Sequence, residues 1–325
     1  MVSREGEGDL LHPAVAVGLA VLAALLVLYG LICVLVFRFA FLRKKRQGRE
    51  DRENTLSYVG EFRDEVERSM AALDALPYEP IVITSHDGLR LVARLYQVEG
   101  AIGTVILFHG YRSYGENDFS GIFPFYMQAR HCHVLLVDQR AHGDSAGKYI
   151  TFGIKERHDC AAWAAYVANR FGNGHKIVLD GMSMGAATVM MSCAEPLPAQ
   201  VVGVVADCGY SSPMDILRHV GRRMHLPVSL VMPGVLLLCR LLAGFDPREI
   251  SARAAVAASV LPKLFVHGRA DDFVPYAMGE ELYAAAAGEK QMVSVTGAGH
   301  GLSYLVSQEE VLAALTAFFD AYVGK

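Results

Sequence analysis

Gly181-Met182-Ser183-Met184-Gly185 lies between Lys176-Ile-Val-Leu-Asp180, a short run suited to a buried strand, and Ala186-Ala-Thr-Val-Met-Met-Ser-Cys193, a small-residue stretch suited to a helix. A serine in a G-x-S-x-G turn between strand and helix projects its hydroxyl from a sharp, strained bend. The glycines let the two elements approach that closely. A serine hydroxyl is a weak nucleophile at neutral pH, so the turn implies chemistry only if a base and an orienting acid accompany it.

Both follow downstream. His300 sits in Thr296-Gly-Ala-Gly-His-Gly301, after the apolar run Met292-Val-Ser-Val295, on a loop that can bring an imidazole to the serine. Asp271 sits in Lys263-Leu-Phe-Val-His-Gly-Arg-Ala-Asp-Asp-Phe-Val-Pro275, where the strand Leu264 to Val266 ends in a glycine turn that presents a carboxylate. Taken singly, each is ordinary: the chain has twelve histidines, and an aspartate after a strand commonly caps a turn. Their order, and the position of each just past a strand, make the set informative. Asp272 and Asp207, the latter ending the strand Val201 to Ala206, are rivals for the acid, with Asp271 preferred. An oxyanion hole needs two backbone N–H groups. Met184, next to the serine, supplies one; Tyr111, in His109-Gly110-Tyr111-Arg112 after the strand Thr104 to Phe108, supplies the other. His109 reads as a loop brace. Arg112 suits either an acidic substrate group or a nearby carboxylate.

With these residues in place, residues 77–325 resemble the α/β-hydrolase superfamily. The likeness extends to His109-Gly110, Asp138-Gln-Arg-Ala-His-Gly-Asp-Ser145, the run from His267 to Pro275 and Gly299-His300. Gly147-Lys-Tyr-Ile-Thr-Phe-Gly153 and Gly185-Ala-Ala-Thr-Val-Met190 are similar to bacterial membrane-anchored members related to the monoacylglycerol-lipase-like and serine-aminopeptidase-like groups. Ala141 departs from the superfamily's usual glycine at that position. The resemblance implies an α/β fold with a mostly parallel, doubly wound sheet and a small helical cap. It also implies hydrolysis of a carboxylic ester, thioester or amide without metal or organic cofactor.

Upstream, residues 14–37 contain no charged side chain, and 24 residues at helical rise span about 36 Å, enough for a bilayer core of ~30 Å. A signal peptide fits poorly, because Glu5, Glu7 and Asp9 outnumber Arg4 and the apolar run is too long. The sequence thus reads as a short tail (1–13), one transmembrane helix (14–37) and a juxtamembrane stretch (38–76). Arg38, Arg43, Lys44, Lys45, Arg46, Arg49 and Arg52 follow the span, which puts the N-terminus outside and the catalytic domain in the cytoplasm. The same cluster suits anionic head groups. Six cysteines without a C-x-x-C pair fit free thiols in a reducing compartment.

Leu56, Val59, Phe62, Val66, Met70 and Leu73 recur at three- and four-residue spacing and predict one amphipathic helix, ended by Pro77 and Pro80. Ile81 to Thr84 and Leu89 to Ala93 flank His86-Asp87-Gly88 as a hairpin, the antiparallel start of the sheet. Helical stretches at 155–171, 276–287 and 306–322 alternate with the remaining strands. Residues 211–258 interrupt the alternation and read as the cap. Its Met214, Leu217, Leu226, Val231, Leu236 and Leu237 either bind an acyl chain or only seal the cap to the core.

A net charge of −4 gives no reason to propose a nucleic-acid partner. The expected partners are the bilayer, through residues 14–37, and a small acyl or peptide substrate. A membrane-anchored serine hydrolase cleaving an acyl ester is the leading reading. A peptidase would anchor a substrate amino terminus on an acid such as Glu116 or Asp118; a silent binding protein is the third alternative.

Overall fold

The computed structural model describes residues 13–44 and 49–324. Residues before Pro13, Lys45, Arg46 and the side chain of Arg49, all used in the sequence reading, lie outside that description. The chain opens with α1 (Pro13–Phe41), α2 (Arg49–Tyr58) and α3 (Arg63–Asp74). Eight strands follow: β1 (Glu79–Thr84), β2 (Arg90–Tyr96), β3 (Gly103–Phe108), β4 (Cys132–Asp138), β5 (Lys176–Met182), β6 (Val201–Asp207), β7 (Lys263–Gly268) and β8 (Lys290–Val295). Between and after them come α4 (Gly115–Phe119), α5 (Glu156–Phe171), α6 (Met184–Ser192), α7 (Pro213–Arg223), α8 (Val228–Leu238), α9 (Ala252–Ala258), α10 (Tyr276–Ala285), α11 (Ser303–Val306) and α12 (Gln308–Tyr322).

The strands form one sheet in the order β1-β2-β4-β3-β5-β6-β7-β8. The β1–β2 hairpin is antiparallel, β2 runs antiparallel to β4, and the remaining pairs are parallel. Strands β3, β4 and β7 are buried along their whole length. Helices cover both faces of the sheet, which is why these strands read as unbroken apolar runs rather than alternating ones. Trp163 and Val167 of α5 lie in the core on one face; Phe318 and Phe319 of α12 lie in the core on the other. Strand β3 pairs with β4 on one side and β5 on the other, so the strand order reverses there. In open α/β sheets the crevice beyond the strand ends at such a point is where ligands bind.

The α1 helix runs for 29 residues, about 43 Å at helical rise, and so continues four residues past the expected span. Most of it is exposed and apolar, but Cys33, Phe37 and Phe41 are buried against the domain. Phe41 packs between the rings of Phe152 (5.4 Å) and Phe245 (5.7 Å), which explains why Arg38 does not end the helix. Beyond it, Leu42 bridges to Tyr149, and the Arg43 guanidinium donates to the carbonyls of Ser145 (2.6 Å) and Gly143 (2.5 Å).

The single amphipathic helix expected over 56–73 is two helices. Gly60 takes φ +58° within a short 3₁₀ turn, and this separates α2 from α3. The apolar spacing survives the break, since Leu56, Val59, Val66 and Met70 still share one buried cluster facing Leu302 and Leu305. Residues 211–258 hold α7, α8 and α9; Ala252 and Val256 of α9 are buried in the core cluster that includes Met184, Ala187 and Met190 of α6. Ser212 caps α7 through a hydrogen bond from Asp215 N–H, with Pro213 at the first turn. Ala141 has φ +61°, a left-handed conformation that explains why glycine suits that position.

The turn after β5 is the tightest point of the fold. A Cβ at Gly185 would lie 1.7 Å from the carbonyl oxygen of Phe108, at the end of β3. Because the obstacle is backbone, no rotamer change relieves it. Gly185→Ala is therefore expected to destabilise by at least ~3 kcal/mol, the upper end of ordinary overpacking. In a domain of this size that corresponds to a fall in Tm of roughly 6–12 °C or more. Thermal unfolding of the variant beside wild type is the check.

Candidate active site

Ser183 occupies the turn between β5 and α6 with φ +56° and ψ −112°, a strained conformation for a residue with a side chain. Its N–H donates to the Asp207 carbonyl (2.8 Å), which ties the turn to the end of β6. The turn after β7 carries Asp271 and the loop after β8 carries His300, so three parallel strands of the sheet deliver all three groups at their C-terminal ends.

Ser183 Oγ lies 2.9 Å from His300 Nε2, and His300 Nδ1 lies 2.7 Å from Asp271 Oδ2. The other carboxylate oxygen, Oδ1, accepts the N–H groups of Phe273 and Val274, each at 2.9 Å. Burial alone would raise the Asp271 carboxyl. Hydrogen bonds from His267 and His300 outweigh it and hold the group below the usual carboxylate range. Asp271 is therefore an anion where it meets the imidazole, and that favours the tautomer whose Nε2 accepts a proton from serine. The rival acids lie elsewhere. Asp272 is exposed and pairs with Arg223 (3.1 Å), and Asp207 directs its side chain into the cavity floor rather than to His300.

Around the Gly110 loop, Gly110 N–H donates to Asp118 Oδ2 (2.6 Å) and Arg112 N–H to His142 Nε2 (3.1 Å). Tyr111, between them, lines both cavities that reach Ser183. Met184 opens α6, where a first-turn N–H has no intrahelical acceptor. His109 braces the loop, because its Nδ1 contacts the Gly110 carbonyl (2.8 Å) and its Nε2 accepts Gln139 N–H (3.2 Å). Arg112 makes no ion pair with a carboxylate among the described residues, and it lines the larger cavity. Its guanidinium donates to the Phe39 carbonyl (2.5 Å), and the Tyr111 hydroxyl donates to the Ala40 carbonyl (2.8 Å). Both side chains thus satisfy carbonyls in the last turn of α1, which a helix end leaves without partners. The Tyr58 hydroxyl of α2 similarly donates to the His300 carbonyl (2.7 Å). The sequence reading missed these ties, since nothing in local spacing signals them.

Two cavities meet at Ser183. One, of about 450 Å³, has mixed walls: Tyr58, Ser113, Asn117, Asp118, Asp207 and His300 bring polar groups, and Phe119, Ile122, Met182, Leu302, Leu305 and Leu315 bring apolar ones. The other, of about 280 Å³, is apolar and lies under the cap, with Met184, Phe152, Tyr210, Leu217, Leu226 and Val231 among its walls. Of the cap residues expected to line a pocket, Leu217, Leu226 and Val231 do so. Met214 is buried in the cap, and Leu236 and Leu237 lie away from the cavity. Glu116 ion-pairs with Arg94 (2.7 Å), and Asp118 accepts from Gly110 N–H and Ser113 Oγ (2.6 Å each), so both proposed amine anchors hold the protein itself. Among the described residues, Cys208, Asp271 and His300 bring three ligand-type atoms within 4.8 Å. Burial raises the Cys208 thiol well above its ordinary value, and Asp271 and His300 already engage each other. The set therefore fits a proton relay better than a metal centre.

The sheet order, the serine turn after β5 and the partners after β7 and β8 define an α/β-hydrolase architecture. Residues 105–315 match the Alpha/beta hydrolase family, and the chain belongs to it. YqkD of Bacillus subtilis is 27% identical over 189 residues, 58% of this chain and 62% of that protein. This chain thus spans less than two thirds of that relative's length. Rv2307c of Mycobacterium tuberculosis is 28% identical over 240 residues, 73% of this chain and 78% of that one. Among solved structures, the esterase Pf2001 of Pyrococcus furiosus superposes with a TM-score of 0.63 at 25% identity, covering 77% of this chain and 93% of that one. Esterases are thus among the structural neighbours of this family member.

Two further carboxyls lie beneath the site. Burial pushes Asp180 up to about 7, against the hydrogen bond it accepts from the Tyr126 hydroxyl (2.5 Å), and burial likewise pushes Asp207 up to about 7. Both folded-state values exceed the ordinary 3.8, so the folded protein keeps these protons to higher pH than the unfolded chain. Their contribution to stability is full below about pH 4 and is lost as pH rises through about 7. Asp180→Asn removes one titrating group and keeps an acceptor for Tyr126. The variant is expected to lose less Tm than wild type between pH 5 and pH 8, measured by thermal unfolding. An equal loss would remove Asp180 as a source of the pH dependence.

Proposed function

We propose that the protein is a membrane-anchored serine esterase that cleaves an acyl ester through an acyl-enzyme intermediate. The observation that carries this reading is the relay from Asp271 through His300 to Ser183 Oγ at 2.7 and 2.9 Å, on a backbone bend that aims the serine at two joined cavities. In the proposed reaction His300 Nε2 takes the Ser183 proton as Oγ attacks the substrate carbonyl. The N–H groups of Met184 and Tyr111 hold the oxyanion. His300 then protonates the leaving alcohol, and water activated by the same imidazole releases the acid. No metal or organic cofactor is needed for any of these steps.

The apolar cavity under the cap supports an acyl group on one side of Ser183, and the larger cavity, whose mixed walls include Ser113, Asn117 and Asp118, leaves room for an alcohol on the other. The esterase activity named for the Pyrococcus neighbour points the same way. Because Glu116 and Asp118 are engaged in the protein, the ester reading is preferred over the peptidase one. We also assign α1 as the single span, with the catalytic domain on the cytoplasmic side. Arg43 and Arg52 are turned to protein partners, so the charge bias behind this orientation rests on the rest of the cluster.

A fluorophosphonate probe should label the wild-type protein in detergent and leave Ser183→Ala unlabelled. On a p-nitrophenyl ester, Ser183→Ala and His300→Ala are each expected to lower kcat by roughly 10⁴-fold or more, because members of such a relay act as a unit. Asp271→Asn should cost roughly 10⁴-fold through the wrong imidazole tautomer. Equal labelling of wild type and Ser183→Ala would overturn the assignment.

A further inference from the structure

The helix assigned as the anchor is also a wall of the apolar cavity. Leu35, Val36 and Phe39 of α1 line it opposite Leu217, Val231 and Met232 of the cap. A transmembrane helix that serves only as a tether has no reason to border the space next to a nucleophile.

The cap lies along the same helix. The Tyr29 hydroxyl donates to the Leu230 carbonyl (3.1 Å), and Cys33 Sγ approaches the Val231 carbonyl (3.8 Å). Farther on, Phe41 packs against Phe245 (5.7 Å), so α8 and the turn after it run in the same direction as α1. The start of α8 therefore reaches farthest toward the N-terminal, exposed part of α1. A bilayer core of ~30 Å needs about 20 residues of helix, which from Pro13 extends to about residue 32. Tyr29, and Leu230 beside it, fall within that depth. Leu230, Leu237, Leu241 and Leu242 of this cap segment are all more than half exposed, and such a patch beside an apolar span belongs in lipid rather than water. The cavity also reaches the surface on this side. Leu35, Phe39 and Met224 line it and yet are 66%, 57% and 46% exposed.

We propose that the cavity between α1 and the cap is an acyl-chain site filled sideways from the bilayer, and that the substrate is a membrane-resident lipid ester. This rests on Ser183 acting as proposed above. The chain enters between α1 and α7–α8, the carbonyl reaches Ser183 Oγ, and the alcohol occupies the larger cavity beside His300. The Oγ–carbon bond forms as the carbon–alcohol oxygen bond breaks, and the serine proton passes through His300 to the leaving alcohol. The 280 Å³ cavity receives the carbons next to the carbonyl. The rest of a longer chain stays in the bilayer.

The test uses the full chain in phosphatidylcholine vesicles. Rates on p-nitrophenyl butyrate and decanoate are normalised to the fraction of protein that a short fluorophosphonate labels. Val36→Trp and Leu217→Trp, which fill the two walls, are each expected to lower the decanoate-to-butyrate rate ratio at least tenfold. An unchanged ratio in both would overturn the proposal. A measurement that leaves the cavity intact accompanies it: Ser183→Ala in vesicles containing phosphatidylcholine with a mid-chain diazirine, followed by photolysis and peptide mapping. Cross-links within 35–40 and 213–235 are expected; cross-links confined to 13–32 would overturn it. Absence of any fluorophosphonate labelling in wild type would instead strike the serine esterase reading, so the two failures are separable.

Discussion

The backbone of Ser183, held at φ +56°, is the constraint around which the rest is arranged. A residue with a side chain adopts that conformation only when its surroundings fix it. Here β5 delivers the serine from the centre of the sheet, α6 departs at once, and the Ser183 N–H is held by the end of β6. The sharp bend lifts the hydroxyl out of the packed layers to where loops from β7 and β8 can reach it. A relaxed backbone would lay the side chain along the strand and bury it. The strain and the accessible nucleophile are one feature.

The segments that precede the sheet also hold the site. Carbonyls in the last turn of α1 accept from Tyr111 and Arg112, which flank and form the loop proposed to bind the oxyanion. Tyr58 of α2 holds the backbone of His300. These contacts attach the two loops on which the proposed chemistry depends to the helices that precede the sheet. The helix proposed as the anchor is thus built into the site rather than joined to it by a free linker. The same arrangement makes α1 a wall of the apolar cavity, so the packing of α1 helps set the shape of that cavity.

Much of this was legible in the chain. The serine turn, the strand before it and the small-residue helix after it are local features, so Gly181 to Gly185 revealed them directly. Asp271 and His300 could be picked out because each follows a short apolar run on a glycine-containing loop. The hairpin was announced by His86-Asp87-Gly88, and the helices at 155–171, 276–287 and 306–322 lie within two residues of their expected bounds. What could not be read was tertiary. Apolar spacing over 56–73 looks continuous because Gly60 breaks the helix without disturbing the buried stripe. Arg112, Glu116 and Asp118 carry charges that suggest substrate contacts, yet their partners are backbone groups and Arg94, far off in sequence or hidden in a loop. The apolar run of α1 looks uniform, and only packing distinguishes its exposed residues from Cys33, Phe37 and Phe41.

The central claim is that Ser183 carries the acyl group during turnover. The most direct test mixes the protein with p-nitrophenyl octanoate, quenches in acid within the first turnovers and measures the intact mass and the peptide bearing position 183. The account requires an octanoyl adduct on Ser183 that disappears when hydrolysis is allowed to finish. Turnover without any acylated serine, or an adduct on another residue, would contradict it.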